Sequence, residues 1–200
     1  MSQKEYQDLK TARSFLVLGE MDNACAHYAK VSQDHPKEVA EAEFFVAYWA
    51  YQDLLAENDR ASAVNAFKAM AASVENAVKC VKESDEEEIG KLLIVTAMVQ
   101  AYVPITRYLY TSRISTSSST IETGVLGLYA LGDAIKNAFG ANPETMKQAA
   151  EAWKEGVSIQ QQFHAYKYQG ARAEDYVAKI QKVEPNYTMP SKAGCISVAK

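Results

Sequence analysis

Apolar residues recur along most of this chain at three- and four-residue intervals, the spacing that lines one face of an α-helix. The pattern predicts eight helices, at about residues 4–18, 22–33, 36–57, 59–82, 84–110, 121–139, 142–168 and 173–183. The third carries Phe44, Phe45, Tyr48, Trp49 and Tyr51. It is aromatic nearly all round, which predicts a covered helix. The fifth is apolar on most faces through Leu92, Leu93, Ile94, Val95 and Met98, the mark of a central buried helix. Pro104 predicts a kink in it, because the ring removes one backbone bond and crowds the preceding turn.

Punctuation between the periodic segments supports these bounds. Gly19 follows Leu16, Val17 and Leu18, where a left-handed helix cap needs glycine. Ser84-Asp85-Glu86-Glu87 has the spacing of a capping box, which predicts a helix start and gives the acidic run a structural role. Hydroxyl residues fill 111–120 and compete with the backbone for hydrogen bonds, so a loop is expected at 115–119. Gly124, Gly127 and Gly132 fall in the sixth helix and predict close helix contact there, each at about 1 kcal/mol of lost helix propensity. Asn142-Pro143 opens the seventh helix as cap and first residue, and Pro185 ends the eighth. The expected organisation is one all-helical domain over 1–184 with an extended or flexible tail over 185–200.

The run Gly19–Pro36 has the spacing Gly-x4-Ala-x3-aromatic-x2-aliphatic-x4-Pro, through Ala24, Tyr28 and Val31. A looser copy places Ala63, Phe67 and Met70 at the same relative positions. Over residues 5–75 the chain resembles the tetratricopeptide-repeat family of helical hairpins. Asp8, Thr11 and Ala12 replace the bulkier Trp-Leu-Gly signature of the first helix in such repeats. The resemblance implies an all-α fold of antiparallel hairpins over 5–83, with further helices over 84–184. These would stack as a tetratricopeptide-like right-handed superhelix or pack as an irregular helical bundle. It also implies a groove lined by the first helix of each pair. At the family's groove positions stand Tyr6, Leu9, Arg13, Leu16 and Val17 from the first helix, and Phe45, Tyr48, Gln52 and Leu55 from the third. That groove is apolar and aromatic without a basic clamp, so it is open to a partner or filled by the protein's own helices.

Composition narrows the function classes. Hydrophobic residues make up 48% and charged residues 23% of the 200 positions, which is ordinary globular usage. A net charge of -4 argues against generic nucleic-acid binding, which needs a basic surplus. The start MSQKEYQDLK is polar, and the apolar stretch 89–103 is interrupted by Lys91, so neither a leader nor a membrane helix is expected. Cys25, Cys80 and Cys195 are widely spaced, which suits reduced thiols in a cytoplasmic protein.

No phosphate loop, His-Glu-x-x-His, Gly-x-Ser-x-Gly or Cys-x-x-Cys motif occurs. His27, His35 and His164 lack ligand-spaced partners on their own helices, so neither a metal nor another cofactor is expected. Two aromatic-polar groups fit binding surfaces. One is Arg107, Tyr108, Tyr110 and Arg113, since Tyr and Arg are common at interface hot spots. The other is the run Gln160–Tyr168 with Phe163, Tyr166 and Lys167, placed for stacking. The leading expectation is a non-enzymatic scaffold that binds a protein or peptide. The alternatives are a homo-oligomeric structural protein and a small-molecule or nucleotide binder of regulatory or defence-related type.

Overall fold

The computed structural model describes residues 3–31, 36–111, 118–139 and 173–189. Among them are seven helices and no strand: α1 (Gln3–Val17), α2 (Met21–Tyr28), α3 (Pro36–Ala56), α4 (Arg60–Lys82), α5 (Glu88–Thr111), α6 (Ser118–Phe139) and α7 (Ala173–Gln181). The helix expected at 142–168, with His164 and the group at 160–168, lies outside the described residues, as does His35.

Sequence-local chemistry sets most boundaries. Gly19 takes φ 82°, with its amide bonded to Leu16 O and the Glu20 amide to Phe15 O. These paired bonds close α1 in a Schellman cap. Asn58 repeats the device after α3 at φ 63°, a left-handed conformation that asparagine tolerates better than most residues. Asp59 then caps α4 by accepting the Ser62 amide at 3.1 Å.

Three boundaries differ from the sequence reading. α2 stops at Tyr28, because the amides of Lys30 and Val31 bond three residues back and tighten the last turn. α5 begins at Glu88, and the capping box does not form. The Ser84 hydroxyl instead donates to Val81 O at 2.7 Å and so finishes α4. α6 begins at Ser118, so the last two residues of the expected loop are helical. Hydroxyl residues suit a first helical turn as well as a loop.

The core follows the apolar stripes. α4 buries Ala63, Phe67, Met70, Val74, Ala77, Val78 and Val81, one face at three- and four-residue spacing. α3 and α4 form the most extensively packed hairpin, and α6 covers the other side of α4. α5 lies against α1, α3, α4 and α6. It buries Leu93, Ile94, Val95, Met98 and Tyr102 completely or nearly so, which is the central position its sequence predicts. It remains helical across Pro104, which is exposed. Because one helix touches four others, the packing is that of an irregular bundle. Ala24 and Ala63 are buried where helices meet, and Tyr28 stacks on Phe45 of α3 at 5.0 Å. α1 packs on α2, α5 and α7, so the C-terminal helix closes over the N-terminal hairpin.

Candidate functional site, a buried charge network under the C-terminal segment

α1 buries Asp8, Thr11, Arg13 and Ser14 beside its apolar residues. The two hydroxyls are satisfied within the helix, Thr11 donating to Gln7 O and Ser14 to Lys10 O, both at 2.8 Å. The two charges find partners from other elements.

Arg13 donates from Nε and Nη2 to the Glu41 carboxylate of α3 at 2.9–3.2 Å. The Tyr28 hydroxyl donates to the same carboxylate. Glu41 is fully buried and Arg13 nearly so. Burial opposes the Arg13 charge, but the Glu41 carboxylate outweighs it and raises the guanidinium above its ordinary range. Burial, reinforced by Glu41, pushes the Tyr28 phenol well above its usual value, so the hydroxyl keeps its proton and remains a donor.

The rim of this cluster is the link between α4 and α5. Asp85 accepts from Lys10 Nζ at 2.6 Å and from Tyr6 Oη at 2.9 Å, and lies 4.0 Å from Arg13 Nη1. The Lys10 hydrogen bond holds the Asp85 carboxyl below its ordinary range. Glu86 turns inward and accepts from Lys179 Nζ of α7 at 3.3 Å. Lys179 also lies over the Tyr176 ring at 4.4 Å. Among the described residues Tyr176 Oη is buried with no hydrogen-bond partner, and burial, then Glu86, pushes its phenol up to about 12.

His27 forms a second centre. Its Nδ1 lies 2.9 Å from Asp8 Oδ1 and its Nε2 lies 2.8 Å from Glu184 Oε1, just beyond α7. Phe15 stacks on the imidazole at 5.5 Å, and Tyr187 meets the Phe15 ring edge-on at 5.3 Å. The Tyr187 hydroxyl donates to Glu20. The segment after α7, where the sequence suggests an extended tail, is therefore docked on α1 and α2 through residue 187.

The chemistry open to these groups is limited by their mutual satisfaction. Arg13, Tyr28 and Glu41 are each at most 5% exposed and bond to one another, so little of them faces solvent. Cys25 donates to Phe45 O at 3.5 Å, and burial pushes its thiol up to about 12. It is thus a thiol and not a thiolate nucleophile. Among the described residues no three His, Cys, Asp or Glu side chains converge to hold a metal ion. Among those residues, too, no helix is long and apolar enough to cross a membrane.

The residues at the family's groove positions divide sharply. Leu9, Arg13, Leu16, Val17 and Phe45 are buried in the core. Tyr48 and Leu55 are half-buried, while Tyr6 and Gln52 are exposed. Burial pushes the Tyr48 phenol up to about 12. The backbone of Arg107, Tyr108 and Tyr110 belongs to the last turns of α5, but their side chains, and all of Arg113, lie outside the described residues.

Sequence reasoning missed the partners of Asp8, His27, Asp85 and Glu86. The available signal was the polar substitution at positions 8, 11 and 13 of an otherwise apolar face. It also missed Leu126 and Tyr129, which are 61% and 71% exposed one turn apart on α6.

Together these features define an all-α bundle whose N-terminal hairpin is joined to later elements by buried ion pairs. No known protein-family model, curated protein or solved structure matches this chain.

Proposed function

We propose that this chain acts by binding, as a non-enzymatic scaffold for a protein or peptide. The observation that carries the reading is the exposed pair Leu126 and Tyr129. Three residues apart, they share one face of α6 and leave a large aromatic and a large aliphatic side chain in water. Tyrosine is enriched among the residues that carry interface binding energy. The burial of Phe15, Phe44, Phe45 and Tyr51 supports the same placement indirectly, since α1 and α3 commit these aromatic residues to the core. A partner is therefore expected on the outer face of α6 and not in the groove that the family resemblance implies.

The test is a photo-crosslinking residue placed at position 129, with a control at exposed Glu75 on α4. The proposal expects a discrete product in extract from position 129, none from position 75, and its loss in Leu126→Ser with helicity unchanged. Equal products from both positions, or a product that survives Leu126→Ser, refute it. A product of twice the chain mass in purified protein supports the homo-oligomeric alternative instead.

A further inference from the structure

The geometry points to a proton-dependent clasp at His27 that fastens the C-terminal segment to the N-terminal hairpin. The argument is one of donor counting. A neutral imidazole offers one N–H and one lone pair, whereas the imidazolium offers two N–H groups. Here both ring nitrogens face carboxylate oxygens, Asp8 Oδ1 at 2.9 Å and Glu184 Oε1 at 2.8 Å. An ionised carboxylate only accepts, so the imidazolium is the state that satisfies both contacts with both carboxylates ionised. Removing the proton leaves a ring lone pair against a carboxylate oxygen, and one contact must open.

The surroundings decide which one. Asp8 is buried on α1, and its side chain is only 8% exposed. The Glu184 side chain is 44% exposed and stands in a turn, so it can swing into water at little cost. The ring itself cannot turn away, because it is 2% exposed and stacked on Phe15. The charged groups that face it are Asp8 from α1 and Glu184 from the C-terminal segment. Glu20 lies one step removed and is held by the Tyr187 hydroxyl and by Asn23. Phe15 presents an uncharged face. Losing the Glu184 contact removes a link spanning 157 positions of sequence and leaves residues 183–187 held to the hairpin by Tyr187, through its hydroxyl on Glu20 and its edge on Phe15. The other end of the segment stays pinned by buried Tyr176 and Ile180 and by Lys179 on Glu86. The clasp thus loosens residues 183–187 while the bundle remains folded. The two carboxylate contacts fix the direction: the docked state is favoured while the imidazole carries both protons and weakens when one is removed.

The experiment is amide hydrogen exchange on the full chain, corrected for intrinsic rates, between about pH 5.5 and about pH 8.5. The titration of His27 is followed in the same samples by NMR. Protection at the Glu184 and Tyr187 amides, which bond to Ile180 O and Glu184 O, is expected to fall at least about five-fold at the His27 midpoint. Amides in α4 should not change. Glu184→Gln supplies an N–H to the neutral ring and should hold protection level over the range. Flat protection in the parent protein, or the same fall in Glu184→Gln, overturns the clasp.

Discussion

Replacing Gly127 by alanine sets two opposed effects against each other, and the geometry says which wins. In an isolated helix the exchange is favourable by about 1 kcal/mol. Here a Cβ on Gly127 would collide with the Tyr102 hydroxyl and stand 2.8 Å from its ring carbon Cζ and 3.3 Å from Ala71 Cβ. Tyr102 is fully buried on α5, and its hydroxyl donates to Gly124 O at 3.2 Å, so moving it aside breaks that bond. Overpacking of this kind costs about 1–3 kcal/mol. Displacing the Tyr102 hydroxyl forfeits a buried hydrogen bond worth about 1 kcal/mol more. The net expectation is a loss of about 1–3 kcal/mol, which lowers the urea midpoint by about 0.5–1.5 M at a slope of about 2 kcal/mol/M. Two neighbours on the same helix serve as internal controls. Gly132 has nothing within 4 Å of its Cβ position, so Gly132→Ala should stabilise by up to about 1 kcal/mol. Gly124 meets Phe67 at 3.3 Å, so Gly124→Ala should fall between the other two. Tyr102→Phe combined with Gly127→Ala removes the nearest clash and should recover part of the loss. Urea melts followed by circular dichroism measure all four variants. Equal midpoints for Gly127→Ala and Gly132→Ala would refute the α5–α6 approach described above.

Arg13→Met strands the fully buried Glu41 carboxylate with only the Tyr28 hydroxyl and should cost about 3–5 kcal/mol. Adding Glu41→Leu removes the stranded charge, so the double variant should be more stable than Arg13→Met alone in urea melts; a less stable double variant refutes this. The Asp85 carboxyl is depressed on folding, first by its Lys10 hydrogen bond. Its stabilisation is therefore complete above the unfolded carboxylate value of about 3.9 and is lost as pH falls through the lower folded value. Asp85→Asn should lower stability at neutral pH and flatten the acid limb of a stability-against-pH curve, whereas parallel curves contradict the assignment.

What could be read from the sequence was what neighbouring residues decide among themselves. Gly19 needs only its own backbone to end α1, and the α4 stripe from Ala63 to Val81 needs only helical period. The central place of α5 was legible because a helix apolar on most faces has nowhere else to go. Charged residues were misread for the opposite reason. Ser84 to Glu87 has the spacing of a cap, and that local arrangement competes with distant cations. Lys10 draws Asp85 and Lys179 draws Glu86, so the link stays outside the helix and α5 starts at Glu88. His27 has no acidic partner on its own helix, yet it has one 19 positions before it and another 157 after it. The burial of Arg13 follows the same logic. Arg13, placed at a lining position by its register, is at most 5% exposed because Glu41 lies across from it. A charge on an apolar face signals only that a partner must arrive, since an unpaired one is too costly to bury. Which partner arrives is decided by packing between elements that no window of one helix contains. The exposed face of α6 follows from that same packing. Once α4 and α5 take its glycine side, Leu126 and Tyr129 are left facing out.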